Sequence, residues 1–457
     1  MNTTKNNSSA DTREVKGTRE YMPSEQIVRE RIVDVLKQNF KLYGYGPIET
    51  SILENYEVAA SKYGGGSEIL KETYRLTDQG QRELCLRYEL TFKFAKLIEM
   101  NPNVRLPFKR YEIGKVFRDG PVKLGRLREF TQCDVDVVGA KSLSTDAELI
   151  DMTFRVFGKL GLDVNVQLNN RKLLFGIFEQ SGIAPEQCGD AALSLDKIVK
   201  FGEDYVKKEL IEKGVSEESA IRLFDTLAAI EMQKGIKEKL SFLSGMITNE
   251  TGKKGISELQ EIFGYCANMG VSGDLRFAPT LARGLGYYTG PMWEVYLNGN
   301  SKMTSSLAAG GRWDKMVQEF MKSEQEYPAT GMTFGLDVIY AALEEKKGAM
   351  FDSKQERIPM VLIIPMNTLG VSLEVAANLR RNGISCDVAA DKKLTKALDY
   401  ANKQSVPYVA IVGEKELKDN KVNIKDMDSG KEQPYNLSTI GADLRVALRS
   451  VEQSHHS

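Results

Sequence analysis

The sequence predicts an α+β chain with three parts: a discontinuous catalytic-type domain that combines an antiparallel hairpin with helices, a helical insertion within it, and a C-terminal α/β domain. Three observations predict this. Two runs that alternate apolar and polar residues, KRYEIGKVFR (Lys109 to Arg118) and RLREFTQCDVDVVG (Arg126 to Gly139), flank a short loop holding Gly120, Pro121 and Gly125, the pattern of an antiparallel hairpin. From Arg171 to Ile256 the pattern turns to helices rich in Lys and Glu. Beyond Pro359, strand-like and helical runs alternate (MVLIIP, VSLEVAANLRRNG, SCDVAA, LTKALDYANKQS, YVAIVG), which argues for strand–helix–strand units with right-handed crossovers.

In chain order, Pro23-Ser24 opens a helix in which Val28, Ile32, Leu36 and Phe40 recur every fourth residue, and Gly44 and Gly46 close it. YGPIETSIL (Tyr45 to Leu53) reads as a strand, followed by the hairpin. Thr145 and Glu148 have the spacing of a capping box ahead of LIDMTFRVFGKL. After the insertion, strand signals return at WEVYL and SSLAAGG, with helical patterns from Asp314 and from Gly335 to Glu345, so the catalytic-type domain is discontinuous. Its expected extent is 14–170 and 257–345, with the insertion at 171–256, a charged linker at 346–358, the α/β domain at 359–450, and polar tails at 1–13 and 451–457. The sequence contains no internal repeat.

Composition narrows the function. At 457 residues, 42% hydrophobic and 27% charged, the chain is long enough for about three domains of ~150 residues. Cys85, Cys133, Cys188, Cys266 and Cys386 lie far apart with no CxxC pair, as expected of buried thiols in a reducing compartment. The N-terminus lacks an apolar signal core, and no run approaches the roughly 18 apolar residues of a membrane span. A cytoplasmic protein with no membrane partner is the expectation. Lys and Arg number 62 against 63 Asp and Glu, so a nucleic-acid partner has to be held by local basic patches. The only histidines, His455 and His456, sit in the polar tail. Imidazole bases, Ser-His-Asp machinery and His-ligated zinc are therefore not expected, and chemistry falls to Arg, Lys, Tyr and carboxylates.

Two segments are candidates for it. By parity, Arg126, Arg128, Phe130, Gln132, Asp134 and Asp136 share one face of the second hairpin strand and Cys133, Val135 and Val137 the other. A half-exposed structural strand would look the same. The functional alternative is a cleft in which Arg118 and Arg126 clamp phosphate or carboxylate oxygens. The second segment is LARGLGYYTG (Leu281 to Gly290), which by pattern alone is also a plain turn into a strand.

These segments resemble histidyl-tRNA synthetases, members of class II of the aminoacyl-tRNA synthetases. LARGLGYYTG is similar to the family's R-G-L-D-Y-Y-T-G, and SSLAAGGRWDKMV to its A-A-G-G-R-Y-D stretch. LRYELT (Leu86 to Thr91), REFTQCDVDVVG, LNNRKLL and ALDYANKQSVPYVAIVGEKEL also look like this family, in its eukaryotic and archaeal branch, and the similarity covers about 14–450. The resemblance implies a class II antiparallel sheet flanked by helices, a C-terminal anticodon-binding domain, a homodimer, and ATP-dependent joining of L-histidine to tRNA(His) through histidyl-adenylate, with Mg2+ bridging the ATP phosphates. It further implies that Arg118 and Arg283 are catalytic and that Glu89, Thr91, Gln132, Asp136, Tyr288 and Trp313 bind histidine. ATP would be held by Arg118, Arg126, Gly310, Gly311 and Gly335. Lys392, Lys393, Lys396 and Lys403 would suit phosphate contact, although such a charge run is commonly a solvated face. YGGGSE (Tyr63 to Glu68) lacks a Walker lysine and reads as a loop near the substrate. The sequence departs from the family pattern at Ser51, Asp119-Gly120, Gly286, Trp313 and Val338, the last standing where motif 3 has an arginine. Two other functions stay open: a non-charging paralogue that binds histidine or tRNA and regulates a partner enzyme, and an ATP-dependent ligase for another amino acid.

Overall fold

The computed structural model describes residues 14–62, 67–283, 286–299, 301–322, 324–346 and 358–454. The tail 1–13, residues 63–66 of YGGGSE, most of the charged linker and both histidines lie outside these residues. The chain divides into two compact units, the first ending at Gly348.

In the first unit the strands are β1 (Gly46–Pro47), β2 (Leu53–Asn55), β3 (Arg75–Thr77), β4 (Glu83–Leu86), β5 (Phe108–Phe117), β6 (Glu129–Val138), β7 (Val164–Asn170), β8 (Asp274–Phe277), β9 (Pro291–Leu297), β10 (Ala308–Arg312) and β11 (Ala329–Gly335). Eight of them form one sheet in the order β1-β5-β6-β11-β10-β9-β7-β8, antiparallel except where β1 meets β5 and β7 meets β8. β2, β4 and β3 form a small separate sheet. The expected hairpin is present, with Arg110 opposite Asp136, Glu112 opposite Asp134 and Gly114 opposite Gln132.

Helices cover one face of the large sheet. In the helix Pro23–Leu42 the predicted stripe of Val28, Ile32, Leu36 and Phe40 is buried, and the Phe40 ring packs on Tyr111 and Phe334 at 5.4 and 5.9 Å. Phe157 of the helix Ser144–Lys159 reaches Phe334 at 5.8 Å. The helix Leu336–Lys346 is locked by Asp337, which accepts from Arg29 Nη1 (2.7 Å), Tyr21 Oη (2.8 Å) and the Thr131 N–H (2.7 Å). Burying that ion pair is tolerable because its carboxylate is fully hydrogen-bonded.

Several expectations change. β6 is not half-exposed: it lies between β5 and β11, and both of its faces are buried. YGPIETSIL contributes only Gly46–Pro47 to the large sheet and Leu53 to the small one. Pro47 has no N–H to donate, and Thr50 donates its N–H and hydroxyl to Glu112 rather than to a strand partner. The capping box is absent, since the helix starts at Ser144, whose N–H donates to Ser142 Oγ, while Glu148 pairs with Lys109 at 3.0 Å. The insertion is helical as expected, but its last helix runs Glu250–Asn268, past the boundary placed at 256. The segment 126–128 precedes β6, and Lys123 and Arg126 pair their backbones at the hairpin tip.

The second unit contains β12 (Val361–Met366), β13 (Cys386–Val388), β14 (Tyr408–Gly413), β15 (Lys421–Asp426) and β16 (Glu432–Asn436), in the order β13-β12-β14-β15-β16. The first three are parallel, as the alternation of strand and helix predicted, and β15–β16 is an antiparallel hairpin that the sequence reading missed. Helices Leu369–Arg381 and Ile440–Ser454 pack on one face around Val375, Leu379, Ile440 and Leu444. Helix Leu394–Lys403 packs on the other through Ala397 and Ala401.

Candidate active site on the second face of the catalytic sheet

Opposite the helical layer, the even-numbered residues of β6 meet the helix Thr91–Met100. Gln132, Asp134 and Asp136 are buried, the two carboxylates at 1% exposure each. Arg110, across on β5, is fully buried. Its Nη2 lies 2.5 Å from Asp136 Oδ2, 3.9 Å from Asp134 Oδ2 and 3.2 Å from the Leu90 carbonyl, its Nη1 lies 3.6 Å from Glu112 Oε2, and its guanidinium covers the Phe94 ring at 4.7 Å. Glu112 is also paired with Arg87 Nη1 at 3.1 Å. From the start of the helix, Thr91 donates to Asp134 at 3.4 Å, and Glu89 accepts the Phe92 N–H at 2.7 Å.

Four carboxylates thus share a buried cluster with two guanidinium groups. Charges out of water lose hydration, so each acid is pushed toward its neutral form unless a cation offsets the loss. Burial, with Asp134 adding to it, raises Glu89 to about 7. Burial raises Asp136 well above the usual carboxylate range; Arg110 opposes this, while Asp134, Glu89 and Glu112 add to it. Asp134 Oδ1 and Gln132 Oε1 are buried without a hydrogen-bond partner. Four acids set against two guanidinium groups leave a site that suits a small ligand carrying an ammonium and N–H groups.

Small residues make the floor beside this cluster. A Cβ on Gly331 of β11 would lie 1.8 Å from Asp136 Oδ1, and one on Gly311 of β10 would lie 2.6 Å from the Tyr288 ring, so both positions have room only for glycine. Tyr287 and Tyr288 pack ring to ring at 4.8 Å. Arg283 stands at φ 49, a left-handed conformation uncommon outside glycine. Its Nη1 donates to the Trp293 carbonyl at 3.4 Å and lies 3.7 Å from Glu294 Oε1, and its guanidinium faces the Tyr288 ring at 5.1 Å. Burial works against this cation, but Tyr288 and Glu294 hold its pKa above the ordinary value. Arg118 donates through Nε to the Tyr88 carbonyl (3.2 Å) and is sandwiched by Tyr88 and Phe130 at 4.2 and 5.1 Å. Guanidiniums fixed in this way present planar donor sets to carboxylate or phosphate.

Of the residues singled out in the sequence, Glu89, Thr91, Gln132 and Asp136 come together, with Tyr288, Arg283 and Arg118 near them. Trp313 instead fills a core cluster with Phe94, Met316, Phe320 and Tyr327, meeting Phe94 edge-on at 6.3 Å. Gly310 faces the helical layer, where its Cβ would strike Met332 and Trp293 at 2.6 Å, because adjacent strand residues point to opposite faces. Gly335 shares the parity of Gly331. Arg126 is exposed at the hairpin tip. Gly286 is exposed with open space around it, and Val338 packs beneath Gly125 of the hairpin loop. Arg110, Asp134, Tyr287 and Glu294 were missed. Hairpin register would have placed Arg110 against Asp136, and parity had already put Asp134 on their face.

The family model for histidyl-tRNA synthetase matches residues 17–339, and that for an anticodon binding domain matches 360–445. The chain belongs to the histidyl-tRNA synthetase family. It is 45% identical to histidine–tRNA ligase 1 of Bacillus cereus over 94% of this chain and 99% of that protein. It is 34% identical to histidine–tRNA ligase of Clostridium tetani over 92% and 95%. The crystal structure of histidyl-tRNA synthetase from a Nostoc species superimposes with a TM-score of 0.82 at 26% identity, covering 96% of this chain and 99% of that one. The large antiparallel sheet with flanking helices and the separate C-terminal sheet are accordingly those of a class II synthetase and its anticodon-binding domain.

Proposed function

We propose that the chain activates L-histidine with ATP, giving histidyl-adenylate and pyrophosphate, and passes the histidyl group to the 3′ end of tRNA(His). The observation that carries this reading is the buried acidic cluster at Glu89, Asp134 and Asp136, with Arg118 acting on Glu89 and with Arg283 set against the Tyr287–Tyr288 pair that Glu89 also faces. Histidine has the complementary charges. Its ammonium would lie against Glu89, Thr91 and the unpartnered Gln132 Oε1. Asp136 would accept from one imidazole nitrogen and Tyr288 would bond the other, a pairing that disfavours apolar analogues because they leave buried polar groups unsatisfied.

In the activation step the histidine carboxylate attacks the α-phosphorus and pyrophosphate leaves. Charge builds on the phosphate oxygens, where Arg118 and Arg283 would stabilise it. Transfer then breaks the mixed anhydride: the terminal ribose hydroxyl attacks the carbonyl carbon, AMP leaves with the anhydride oxygen, and the hydroxyl proton passes to the departing phosphate or to water. Both steps need position and fixed positive charge, not an imidazole base. Gly311 and Gly335 would let ATP lie close to the sheet. Magnesium enters as a partner of the ATP phosphates, a mode that requires few protein ligands. Among the described residues no group of three His, Cys, Asp or Glu could cage a metal.

The wider reading includes a homodimer, which the family resemblance implies, a cytoplasmic setting, which the scattered cysteines suit, and a eukaryotic- and archaeal-like branch, which rests on the motif sequences alone, the relatives compared above being bacterial. No described helix is long and apolar enough to cross a membrane. Histidine-dependent ATP–pyrophosphate exchange by the purified chain tests the reaction. Arg283→Ala should lower exchange by about 100-fold or more while histidine binding stays measurable by calorimetry. No exchange above a histidine-free control at saturating ATP would leave the regulatory paralogue as the better reading.

A further inference from the structure

A guanidinium in the middle of a central strand is an expensive way to fill space. Its desolvation costs several kcal/mol, and an aliphatic side chain would pack the same position without that cost. Arg110 also leaves Nε and Nη1 without hydrogen-bond partners. Its short contact is with Asp136 Oδ2, at 2.5 Å, while Asp136 Oδ1 projects into the space that a side chain at Gly331 would take. One oxygen lies against the Arg110 cation, outside hydrogen-bond geometry, and the other fills the clearance that a glycine leaves in the neighbouring strand, so a guanidinium and a missing side chain both bear on how the carboxylate is turned.

The charges facing Asp136 come from every element around it: Asp134 on its own strand, Glu112 and Arg110 on β5, Glu89 at the head of the helix Thr91–Met100, and the Tyr45 phenol just before β1. The acids favour the protonated form of Asp136, and Arg110 is the cation that opposes them. A protonated Asp136 would be a poorer acceptor for an imidazole N–H.

We propose that Arg110 is a positioning residue for amino-acid selection, turning Asp136 as the acceptor for the histidine ring, with Asp134 as the balancing charge that leaves room for the ligand's own ammonium. The inference rests on the reading of Asp136 as the imidazole partner. Arg110 acts through Asp136 and does not itself touch the substrate.

The test compares the full-length wild type with Arg110→Met, Arg110→Lys and the double variant Arg110→Met/Asp134→Asn. Histidine and ATP KM values in exchange, the calorimetric histidine Kd across pH, and the melting temperature are measured for each. Arg110→Met should raise the histidine KM about tenfold or more near neutral pH with little change for ATP. It should also move the pH at which histidine affinity levels off upward by roughly one unit, because Asp136 then holds its proton longer. Arg110→Lys should recover part of the loss. The double variant should recover melting temperature, by removing a carboxylate left unpaired, without recovering histidine affinity. An unchanged histidine KM and pH profile in Arg110→Met would overturn the proposal, as would affinity that returns with stability in the double variant. If the wild type shows no histidine-dependent exchange, the assigned reaction fails and the calorimetric Kd alone decides the role of Arg110. A wild type that does not bind histidine overturns both.

Discussion

Glu89 shows how one residue couples stability to ligand binding. With a folded pKa near 7 against an ordinary value of 4.5, the apo protein binds a proton there more readily than the unfolded chain does. The resulting contribution is fully present below about pH 4.5 and is lost as pH rises through about 7, amounting to on the order of 3 kcal/mol at most. We expect the melting temperature of the histidine-free protein to fall more steeply over that window in the wild type than in Glu89→Gln. Added histidine should raise it more above pH 7 than below, since an ammonium favours the ionised acid. Equal slopes in thermal melts of the two proteins would contradict this. LRYELT made Glu89 and Thr91 legible in the sequence. Arg110 was not, because an arginine within a strand run reads as solvent-facing until register sets it against Asp136. Trp313 was misread for a related reason: its motif is recognisable, but only packing shows that its indole turns into the core with Phe94.

Between elements, β5, β6 and β11 work as a unit, with acids on the middle strand, their counter-ion on one neighbour and clearance on the other. Gly331→Ala places a methyl group 1.8 Å from Asp136 Oδ1 and 2.9 Å from the Val135 carbonyl, so the carboxylate must turn or the strands must part. The expected cost is about 1–3 kcal/mol of stability, with a rise in histidine KM that exceeds any rise in ATP KM. Equal effects on the two substrates in exchange kinetics would mean that the notch does not serve Asp136. At this scale the strong periodic patterns were readable: the hairpin, the helix Pro23–Leu42 and the parallel strands of the second unit. The short and context-dependent ones were not. YGPIETSIL has strand composition but meets Glu112 in place of a ladder, and Thr145 has capping spacing in a helix that had already begun one residue earlier.

For the whole molecule, two units with separate cores correspond to the synthetase and anticodon-binding family models. Lys392, Lys393, Lys396 and Lys403 are exposed at one helix of the second unit, and Lys403 is already paired with Asp399 at 2.8 Å. Replacing the four with Gln in the full chain should raise the KM for tRNA about tenfold and flatten its salt dependence, while histidine-dependent exchange stays unchanged. An unaltered tRNA KM would return this run to a solvated surface. Sequence alone indicated the class of fold, the separate C-terminal α/β domain and the family, because hydrophobic period and short motifs are local properties of the chain. Only the tertiary structure decided which residues make the site. Arg110 and Asp136 face each other across one hairpin, but Gly331 comes from a strand far along the chain, and burial, which gives the charges leverage on one another, exists only once those strands are paired beneath the helix Thr91–Met100.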